Sequence, residues 1–500
     1  MKSIMKCVCV WLLAVTVGQG ADIASVFSDH MVLQQGMVVP VWGTGNPGER
    51  VTVIFAGQEK STNADDGGRW WVSLAPLTAS AEPGKLIVRS GDAEKIVSDV
   101  LVGEVWLASG QSNMEWNLAR STGPIEAKAP DPLIRLLQVP RKPIPVPAED
   151  IHASWKVSEG KDLESFSAVG YFFAKHLAST RQVPIGIINS SVGGTPVEAW
   201  TSREVMEGHP KLQHLITEYD EQVKTYDPEV AMRKYQDELA KHETAIASNP
   251  DAKQKHGRPL QKPRKPIDPS IHQRSPATLY NGMIAPLVPM AFRGVIFYQG
   301  EGNSGAADLY RIQFPALIQS WRKDFGHDFP FLFVQIAPHQ NMVPEIRDAQ
   351  LFTWRTVPNT AMAVITDYGH PTDIHPVDKQ PVGERLALAA RALAYGENIV
   401  YSGPLFDTLE IRSNQAVLSF KHVGDGLVAK TDTLVGFEVS GGGTNFVPAS
   451  ATIEGDTVVV TSDKVEKPVA VRYGWSNIPE ASLYNKNGLP ATPFQCELWQ

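Results

Sequence analysis

Hydrophobic and polar residues alternate over short runs in residues 22–100, which is the pattern of half-buried β-strands. The runs are rich in β-branched and aromatic residues, and turn-forming Gly, Pro, Asn and Asp separate them. The clearest predicted strands are residues 37–42, 51–55, 70–74 and 86–88. Strands spaced in this way predict an N-terminal β-sandwich domain over residues 21–100.

Residues 101–400 change to an α/β pattern, in which near-continuous apolar runs alternate with amphipathic helical segments. Predicted strands are residues 103–108, 184–190, 294–298, 330–336 and 361–367, and predicted helices are residues 165–177, 310–323 and 383–395. Apolar strands that alternate with helices are typical of a parallel sheet covered on both faces. The fold class expected for this domain is therefore α/β.

Residues 203–280 interrupt this alternation, and residues 401–500 return to short β-runs. The interruption is charged and helical over residues 203–247, and a Lys- and Pro-rich stretch follows over residues 253–269. It predicts a solvated helical insertion packed on the core, with a lid over a binding site as the alternative. The last hundred residues predict a C-terminal β-domain.

Composition narrows the class of protein. A hydrophobic content of 43% and a charged content of 20% are typical of a folded globular protein, and 500 residues are enough for several domains. The net charge is −8 and no basic stripe is present, which argues against binding of nucleic acid.

The first 20 residues have the pattern of an export signal. Lys2 and Lys6 make its N-terminal end basic, residues 7–17 are apolar, and the small residues at 18–20 suit a cleavage site. A membrane-spanning helix needs about 20 apolar residues, so cleavage is favoured and no membrane anchor is expected. A periplasmic or extracellular location follows, and the oligomeric state is not predicted.

The segment around Ser112 carries the first sign of chemistry. An apolar run over residues 102–108 ends at Gly110, and Ser112 follows two residues later. Such a turn exposes the hydroxyl and the backbone N–H of one residue together, which suits a nucleophile and an oxyanion donor in acyl transfer. Serine also fills turns and caps helices, so this motif alone is weak.

Three further motifs follow predicted strands of the α/β region, where open parallel sheets bind their ligands. Gly193 and Gly194 offer backbone N–H groups, and the second motif offers the side chains of Gln299, Glu301 and Asn303. The third motif spans residues 370–376 and contains an imidazole with a carboxylate two residues before it: His370, Asp373 and His375. Taken singly these are ordinary turns, and a metal site at the third motif is an alternative that lacks further ligands.

The order of the four motifs resembles that of the SGNH (GDSL-like) hydrolases. Their residues resemble the sialate O-acetylesterase and related carbohydrate acetylesterase family from about residue 22 to residue 500. The motifs that carry the resemblance are residues 110–114, 193–200, 279–284, 298–301, 373–376 and 473–477. The resemblance implies a flavodoxin-like SGNH hydrolase domain over residues 101–400, between the two β-sandwich-like domains.

The resemblance also implies the roles of individual residues. Ser112 would be the nucleophile and His375 the base, with Asp373 as its orienting acid. The backbone N–H of Ser112, with Gly193, Gly194 and Asn303, would form the oxyanion hole. Many SGNH hydrolases place the acid three residues before the histidine rather than two. A backbone carbonyl, Glu301 or Asp367 is therefore an alternative orienting group.

The expected activity is that of an exported, serine-dependent carbohydrate O-acetylesterase that needs no metal and no organic cofactor. The expected partner is an acetylated sugar or glycan, most readily an O-acetylated sialic acid. An acetylxylan esterase or another polysaccharide deacetylase is the alternative of the same class, and a non-catalytic carbohydrate-binding protein is the alternative of another class. The candidates for contacting the substrate are Gln111, Asn113, Gln299, Glu301, Trp116 and Trp200.

Overall fold

A computed structural model describes residues 20–249 and 260–497 of the chain. The predicted export signal, apart from Gly20, and part of the Lys- and Pro-rich stretch of the insertion lie outside these residues. No helix in the described ranges is long and apolar enough to cross a membrane.

The N-terminal part is made of β-strands, as the alternation of polar and apolar residues predicts. The bounds of its strands are β1 Asp22–Ile23, β2 Val32–Gln34, β3 Val39–Thr44, β4 Arg50–Phe55, β5 Gln58–Asn63, β6 Arg69–Leu74, β7 Ser80–Ser90 and β8 Ala93–Gly110. One antiparallel sheet contains β1, β3 and β6, whereas β4, β5 and β7 join a second sheet through β8.

Strand β8 connects the N-terminal part to the α/β part. The first part of this 18-residue strand pairs with β7, and its last residues pair with two strands of the parallel sheet. The predicted boundary between residues 100 and 101 therefore lies inside a continuous strand. The end of β8 leads directly to Ser112, so the nucleophile candidate is anchored to both parts of the molecule.

The middle of the chain forms a parallel sheet with helices on both faces. Besides β8, its strands are β9 Ile134–Gln138, β10 Lys156–Val157, β11 Ile185–Ser191, β12 Gly294–Tyr298, β13 Phe331–Gln335 and β14 Thr360–Val364. The helices are α1 Ser112–Glu115, α2 Gly160–Ser165, α3 Ala168–Arg181, α4 Arg203–Gly208, α5 Gln213–Thr225, α6 Pro228–Ser248, α7 Ala307–Phe325, α8 Pro344–Thr356 and α9 Gln380–Leu393. The strands follow the order β9-β11-β8-β12-β13-β14, with the antiparallel β10 beyond β9.

Alternate residues of each central strand face opposite layers of helices. In β8, Trp106 and Ala108 belong to the hydrophobic core that contains α3 and α9, whereas Val105 and Leu107 belong to the core that contains α7 and α8. Because both faces are covered, the strands are apolar throughout. This is why they are visible in the sequence as continuous apolar runs.

The α/β class is thus observed. The five strands that the sequence predicts lie in the order β11-β8-β12-β13-β14, which numbered along the chain is 2-1-3-4-5, the order of flavodoxin. Strand β9, which the sequence pattern did not predict, is an additional parallel strand beyond β11. The first strand, β8, remains at the position where the strand order reverses, between β11 and β12.

The helical insertion contains α4, α5 and α6. A small core joins it to α7 through Met206, Leu212, Ile216 and Ala316, whereas α6 buries none of its residues.

The C-terminal part consists of three small antiparallel sheets in the described residues. They are β15-β16-β21-β20, β17-β23 and β19-β18-β22-β24. The bounds are β15 Leu405–Arg412, β16 Gln415–Lys421, β17 Leu427–Ala429, β18 Phe437–Ser440, β19 Val447–Pro448, β20 Ser450–Glu454, β21 Thr457–Thr461, β22 Ala470–Tyr473, β23 Leu483–Asn485 and β24 Phe494–Glu497.

Candidate active site

Three neighbouring strands end at one level of the sheet and place three of the four motifs together. Gly110 of β8 is in register with Ser191 of β11 and with Tyr298 of β12. Ser112 and Gly193 each follow two residues after their strand ends, and Gln299 follows immediately after Tyr298. The carboxyl edge of the sheet therefore brings together residues that are far apart in the sequence.

Gly110 allows the sharp turn that presents Ser112. Its φ is +131°, and a Cβ atom on this residue would lie 2.1 Å from the carbonyl oxygen of Tyr298, so no other residue fits. The N–H of Gln111 donates to the same carbonyl at 2.9 Å. Ser112 then begins α1, where its own N–H has no acceptor within the helix.

The fourth motif brings His375 to the nucleophile candidate. Ser112 Oγ and His375 Nε2 are 2.8 Å apart, the distance of a hydrogen bond in which the hydroxyl donates to the imidazole. The indole of Trp116 stacks on the imidazole, with ring centroids 5.2 Å apart and an angle of 26° between the planes. The guanidinium of Arg120 lies 3.7 Å from the centroid of the Trp116 ring. The orientation of the imidazole is therefore held by packing as well as by hydrogen bonding.

Asp373 is the carboxylate beside the other nitrogen of His375. Its Oδ1 lies 3.5 Å from His375 Nδ1 and accepts the backbone N–H of His375 at 2.9 Å. About half of the Asp373 side chain, 52%, is exposed, so solvent weakens this ion pair. The alternatives are engaged elsewhere: Asp367 pairs with Arg385 through both oxygens, and Glu301 accepts from Asn113.

The surroundings of His375 favour its neutral form. Burial lowers the pKa of the imidazole, and the positive charge of Lys379 lowers this pKa further, against the opposing effect of Asp373. A general base must be unprotonated to accept a proton. The lowered pKa therefore extends the pH range in which His375 can act as a base.

A buried lysine, not predicted from the sequence, lies behind the Ser112–His375 pair. Lys379 is fully buried, donates to Asn113 Oδ1, and its Nζ lies 5.5 Å from the ring centroids of both Trp116 and Tyr298. Burial lowers the pKa of Lys379 to about 7, although the carboxyl of Glu301 opposes this shift.

Asn113 connects the buried lysine to the loop that carries the imidazole. Its Nδ2 donates to Glu301 Oε1 at 2.6 Å and to the carbonyl of Ile374 at 3.1 Å. Asn113 is completely buried and does not line the cleft, so its side chain contacts the loop of His375 and not the space where a substrate was expected to bind.

Glu301 belongs both to this network and to the surface of the cleft. Its Oε2 has no hydrogen-bond partner, and burial raises the pKa of the carboxyl. The unpartnered Oε2 is itself buried, whereas other atoms of Glu301 line the cleft, where the sequence predicts a contact with the substrate.

The expected oxyanion donors differ in their availability. Ser112, Gly193 and Gly194 line the cleft, but the N–H of Gly193 donates to Glu115 Oε2 at 2.7 Å. Neither the N–H of Ser112 nor that of Gly194 has an acceptor among the described residues.

Asn303 is a correction to the expected oxyanion hole. Its Nδ2 donates to Glu198 Oε2 at 3.0 Å, and its Oδ1 accepts from Val197 N–H at 2.9 Å and from Gln299 Nε2 at 2.7 Å. Asn303 is buried and does not line the cleft, because its carboxamide completes the hydrogen bonds around the partly buried Glu198. In this arrangement it cannot reach an acyl oxygen.

Gln111 offers a carboxamide where Asn303 was expected. Its Oε1 accepts the N–H of Gly302 at 2.9 Å, which fixes the orientation of the amide. Its Nε2 donates to no described residue, and Gln111 lines the cleft beside Ser112. This amide nitrogen is therefore free to donate to a ligand.

Two other substrate candidates are part of the core. Trp200 is fully buried, and its Nε1 donates to Thr195 Oγ1 at 2.9 Å, so it has no face for a sugar ring. Gln299 is also buried and donates to Asn303. Trp116 is 8% exposed and packs on His375, so its role is to support the base.

The cleft above Ser112 has a volume of about 900 Å³ and a cationic rim. Four basic side chains line it, whereas Glu301 is the acidic residue in its lining. The basic residues are Arg141, Arg264, Lys265 and Arg274. They come from two separate loops, and Arg264 and Lys265 belong to the Lys- and Pro-rich stretch of the insertion. A cationic cleft in a protein of net charge −8 favours an anionic ligand.

The third motif does not assemble as a metal site. His370 Nδ1 accepts the backbone N–H groups of Thr372 and Asp373 at 3.2 and 3.0 Å, so it caps its own loop. The described ranges contain no group of three or more His, Cys, Asp or Glu side chains placed to bind a metal ion.

Comparison with known proteins gives consistent results. A family model described as carbohydrate esterase, sialic acid-specific acetylesterase, matches residues 102–247 and 269–391, which include Ser112 and His375. Human sialate O-acetylesterase is 33% identical to the chain, and the match covers 95% of this chain and 92% of the human protein. The rat sialate O-acetylesterase is 31% identical, with 97% of each chain covered.

A solved structure is similar over nearly the whole chain. The crystal structure of a carbohydrate acetylesterase from Xanthomonas citri has a TM-score of 0.79 and 36% sequence identity to this chain. The match covers 96% of this chain and 100% of that protein. The similarity therefore includes the β-rich parts at both ends as well as the α/β part.

Proposed function

The chain belongs to the carbohydrate esterase family of sialic acid-specific acetylesterases and is a carbohydrate O-acetylesterase, and we propose that Ser112 and His375 carry out its reaction. The observation that carries this proposal is the 2.8 Å contact between Ser112 Oγ and His375 Nε2 at the floor of an open cleft. The arrangement of Ser, Gly, Gln/Glu and Asp/His loops at the strand ends supports assignment to the SGNH hydrolases.

The reaction proceeds in two acyl-transfer steps. Ser112 Oγ attacks the acetyl carbonyl carbon while His375 Nε2 accepts the hydroxyl proton, and the carbonyl oxygen becomes an oxyanion. When the tetrahedral intermediate collapses, the ester bond to the sugar breaks, and the imidazolium returns the proton to the leaving sugar oxygen. Water, deprotonated by His375, then attacks the acetyl-enzyme. When this second intermediate collapses, the bond from the acetyl carbon to Ser112 Oγ breaks, acetate leaves, and the imidazolium returns the proton to Ser112 Oγ.

The oxyanion is stabilised by donors that the folded chain leaves free. The N–H groups of Ser112 and Gly194 and the Nε2 of Gln111 are available at the cleft. The N–H of Gly193 joins them when Glu115 moves away from it. Each such donor contributes about 10²–10³-fold to the rate of comparable acyl-transfer enzymes.

The charge of the cleft favours a sialic acid over a neutral polysaccharide. A sialic acid carries a carboxylate, whereas acetylated xylan units are neutral. The four basic side chains around the cleft attract the carboxylate of a sialic acid, whereas a neutral acetylated xylan has no charge for them to attract. The curated relatives are named sialate O-acetylesterases, which agrees with this choice of substrate.

Hydrolysis of defined esters tests the assignment. The purified protein should release acetate from O-acetylated sialic acid faster than from acetylated xylan, and Ser112→Ala should abolish release from both. A fluorophosphonate probe should label the wild type at Ser112 and leave the variant unlabelled. Full activity of Ser112→Ala would refute the nucleophile, and faster deacetylation of xylan would refute the sialate preference.

Export is a further part of the proposal. It rests on the basic, apolar and small-residue segments of residues 1–20. Expression of the whole chain in a bacterial host, followed by N-terminal sequencing of the periplasmic protein, tests it. A mature chain that begins at Ala21 is expected, and retention of the protein with Lys2 and Lys6 in the cytoplasm would contradict it.

A further inference from the structure

A second pocket, called here the lateral pocket, lies beside the catalytic cleft. Its volume is about 250 Å³, and its lining includes Glu198, Glu218, Tyr219, Gln222, His272 and Arg274. His272 and Arg274 also line the cleft above Ser112, so the two spaces share a wall. Helix α5 of the insertion forms the other side.

Glu198 is a partly buried carboxyl group that the deacetylation mechanism does not use. Its Oε2 accepts from Asn303 Nδ2 at 3.0 Å and from Gln313 Nε2 at 3.2 Å, and burial raises the pKa of this carboxyl. Withdrawing a carboxyl group from water costs free energy, and a partly buried acid in the wall of a pocket is a candidate for contact with a ligand.

The shared wall links the lateral pocket to the glycine loop. Arg274 donates to the carbonyl of Gly194, and its neighbour Gln273 donates to the carbonyl of Gly193 at 3.0 Å. The same loop lies beside Ser112. A group bound in the lateral pocket and in contact with Arg274 would therefore be adjacent to the site of acyl transfer.

The chemistry of the lateral pocket suits one uncharged sugar ring. Carboxyl, carboxamide, imidazole and guanidinium groups bind hydroxyl groups, and all four line the pocket. Pockets for drug-sized ligands measure about 300–1,000 Å³, so a volume near 250 Å³ suits a single ring. Two carboxyl groups, Glu198 and Glu218, disfavour a second anionic sugar.

We infer that the lateral pocket is a subsite for the neutral sugar to which the O-acetylated sialic acid is glycosidically linked. This inference rests on the proposed function, because the acetylated sugar must occupy the cleft above Ser112. It gives the insertion a role: α5 supplies the outer wall of the subsite. The enzyme then recognises a glycan by two adjoining rings of different charge.

A bulky substitution at the rim of the lateral pocket tests this inference. Gln222 is exposed, so Gln222→Trp should block the pocket without disturbing the core, and Thr217→Trp on the opposite face of α5 is the matched control. The substrates are 4-nitrophenyl acetate, free O-acetylated sialic acid, and the same sugar linked to lactose. We expect Gln222→Trp to lower kcat/KM about tenfold for the linked substrate only, equivalent to about 1.4 kcal/mol.

Binding of lactose provides a readout that does not depend on deacetylation. Calorimetry with Ser112→Ala should detect weak binding of lactose, and Gln222→Trp in that background should remove it. Equal effects of Gln222→Trp on all three esters, or unchanged lactose binding, would overturn the subsite. Failure of the proposed function has a different signature: the wild type would release no acetate from either sialic acid substrate.

Discussion

The carboxylate of Glu115 accepts a hydrogen bond from the N–H of Gly193 at 2.7 Å. Glu115 ends the short helix that Ser112 begins, and Gly193 lines the same cleft. The contact places an acceptor, and a negative charge, where a serine esterase needs donors for a developing oxyanion. Substrate must therefore displace the carboxylate before Gly193 can contribute to catalysis.

Glu115→Ala is expected to raise kcat/KM for 4-nitrophenyl acetate about two- to tenfold. The reason is that the transition state no longer has to break a hydrogen bond worth about 0.5–1.5 kcal/mol. Glu115→Gln, which keeps an acceptor but loses the charge, should give a smaller increase. A decrease in both variants would show that the Glu115–Gly193 contact holds the loop in its active form.

Asp373→Asn is expected to lower kcat less than the corresponding change in a buried triad, where the loss is about 10⁴-fold. Asp373 is half exposed and lies 3.5 Å from His375 Nδ1, so we expect a loss below about 100-fold. An asparagine can still accept the backbone N–H of His375. Steady-state kinetics of Asp373→Asn, Asp373→Ala and His375→Ala would check this order, and equal losses for all three would contradict it.

Lys379→Met is expected to move the acidic limb of the pH profile of kcat/KM to higher pH. Burial keeps the pKa of His375 below its usual value of 6.5, and below pH 7 the side chain of Lys379 is protonated and its positive charge lowers the pKa of His375 further. Without the charge of Lys379 the pKa of His375 rises. His375 is then protonated at a higher pH, so kcat/KM begins to fall at a higher pH when the solution is acidified.

The control for this prediction is Lys379→Arg, which restores the charge. If the role of Lys379 were purely structural, Lys379→Met would lower kcat/KM equally at all pH values, and the acidic limb of the pH profile would not move. Thermal unfolding of each variant would separate loss of fold from loss of the base.

Neutralising the cationic rim is expected to weaken binding of the anionic substrate. The double variant Arg264→Gln/Lys265→Gln should raise KM for O-acetylated sialic acid about three- to tenfold and leave 4-nitrophenyl acetate unaffected, since exposed ion pairs contribute about 0.2–1 kcal/mol each. The effect should shrink as salt is added. The control is the double variant Lys60→Gln/Lys85→Gln, which changes two exposed lysines in the N-terminal part. An equal rise in KM in this control would contradict an effect that is specific to the rim of the cleft.

Elements buried on both faces could be predicted well from the sequence. The strands that end beside Ser112, Gly193 and Gln299 are continuous apolar runs because both of their faces pack against other layers. Strand β9 contains the charged Arg135 within five residues, and helix α8 mixes polar and apolar residues, so neither was predicted. Strand β9 is an addition to the flavodoxin-like order that the five predicted strands follow.

The candidate site could be predicted only in part. Ser112 and His375 belong to motifs whose spacing and residue types point to acyl transfer, and the structure brings them to 2.8 Å. Lys379 and Glu115 carried no signal, because each acts through a partner distant in sequence or on another loop. The sequence signal at Asn303 was misleading, because the residue type suggests an oxyanion donor but does not reveal that the amide faces Glu198.

The sequence by itself determined the α/β class, the nucleophile and base candidates and the family, because these depend on residue type and on periodicities within single segments. Only the tertiary structure decided which donors are free, what lies behind His375, and that a cationic cleft and a second pocket adjoin Ser112. Those properties depend on distances between segments that meet at the carboxyl edge of the sheet. Burial there changes the charge and the hydrogen bonding of groups that look alike in the sequence.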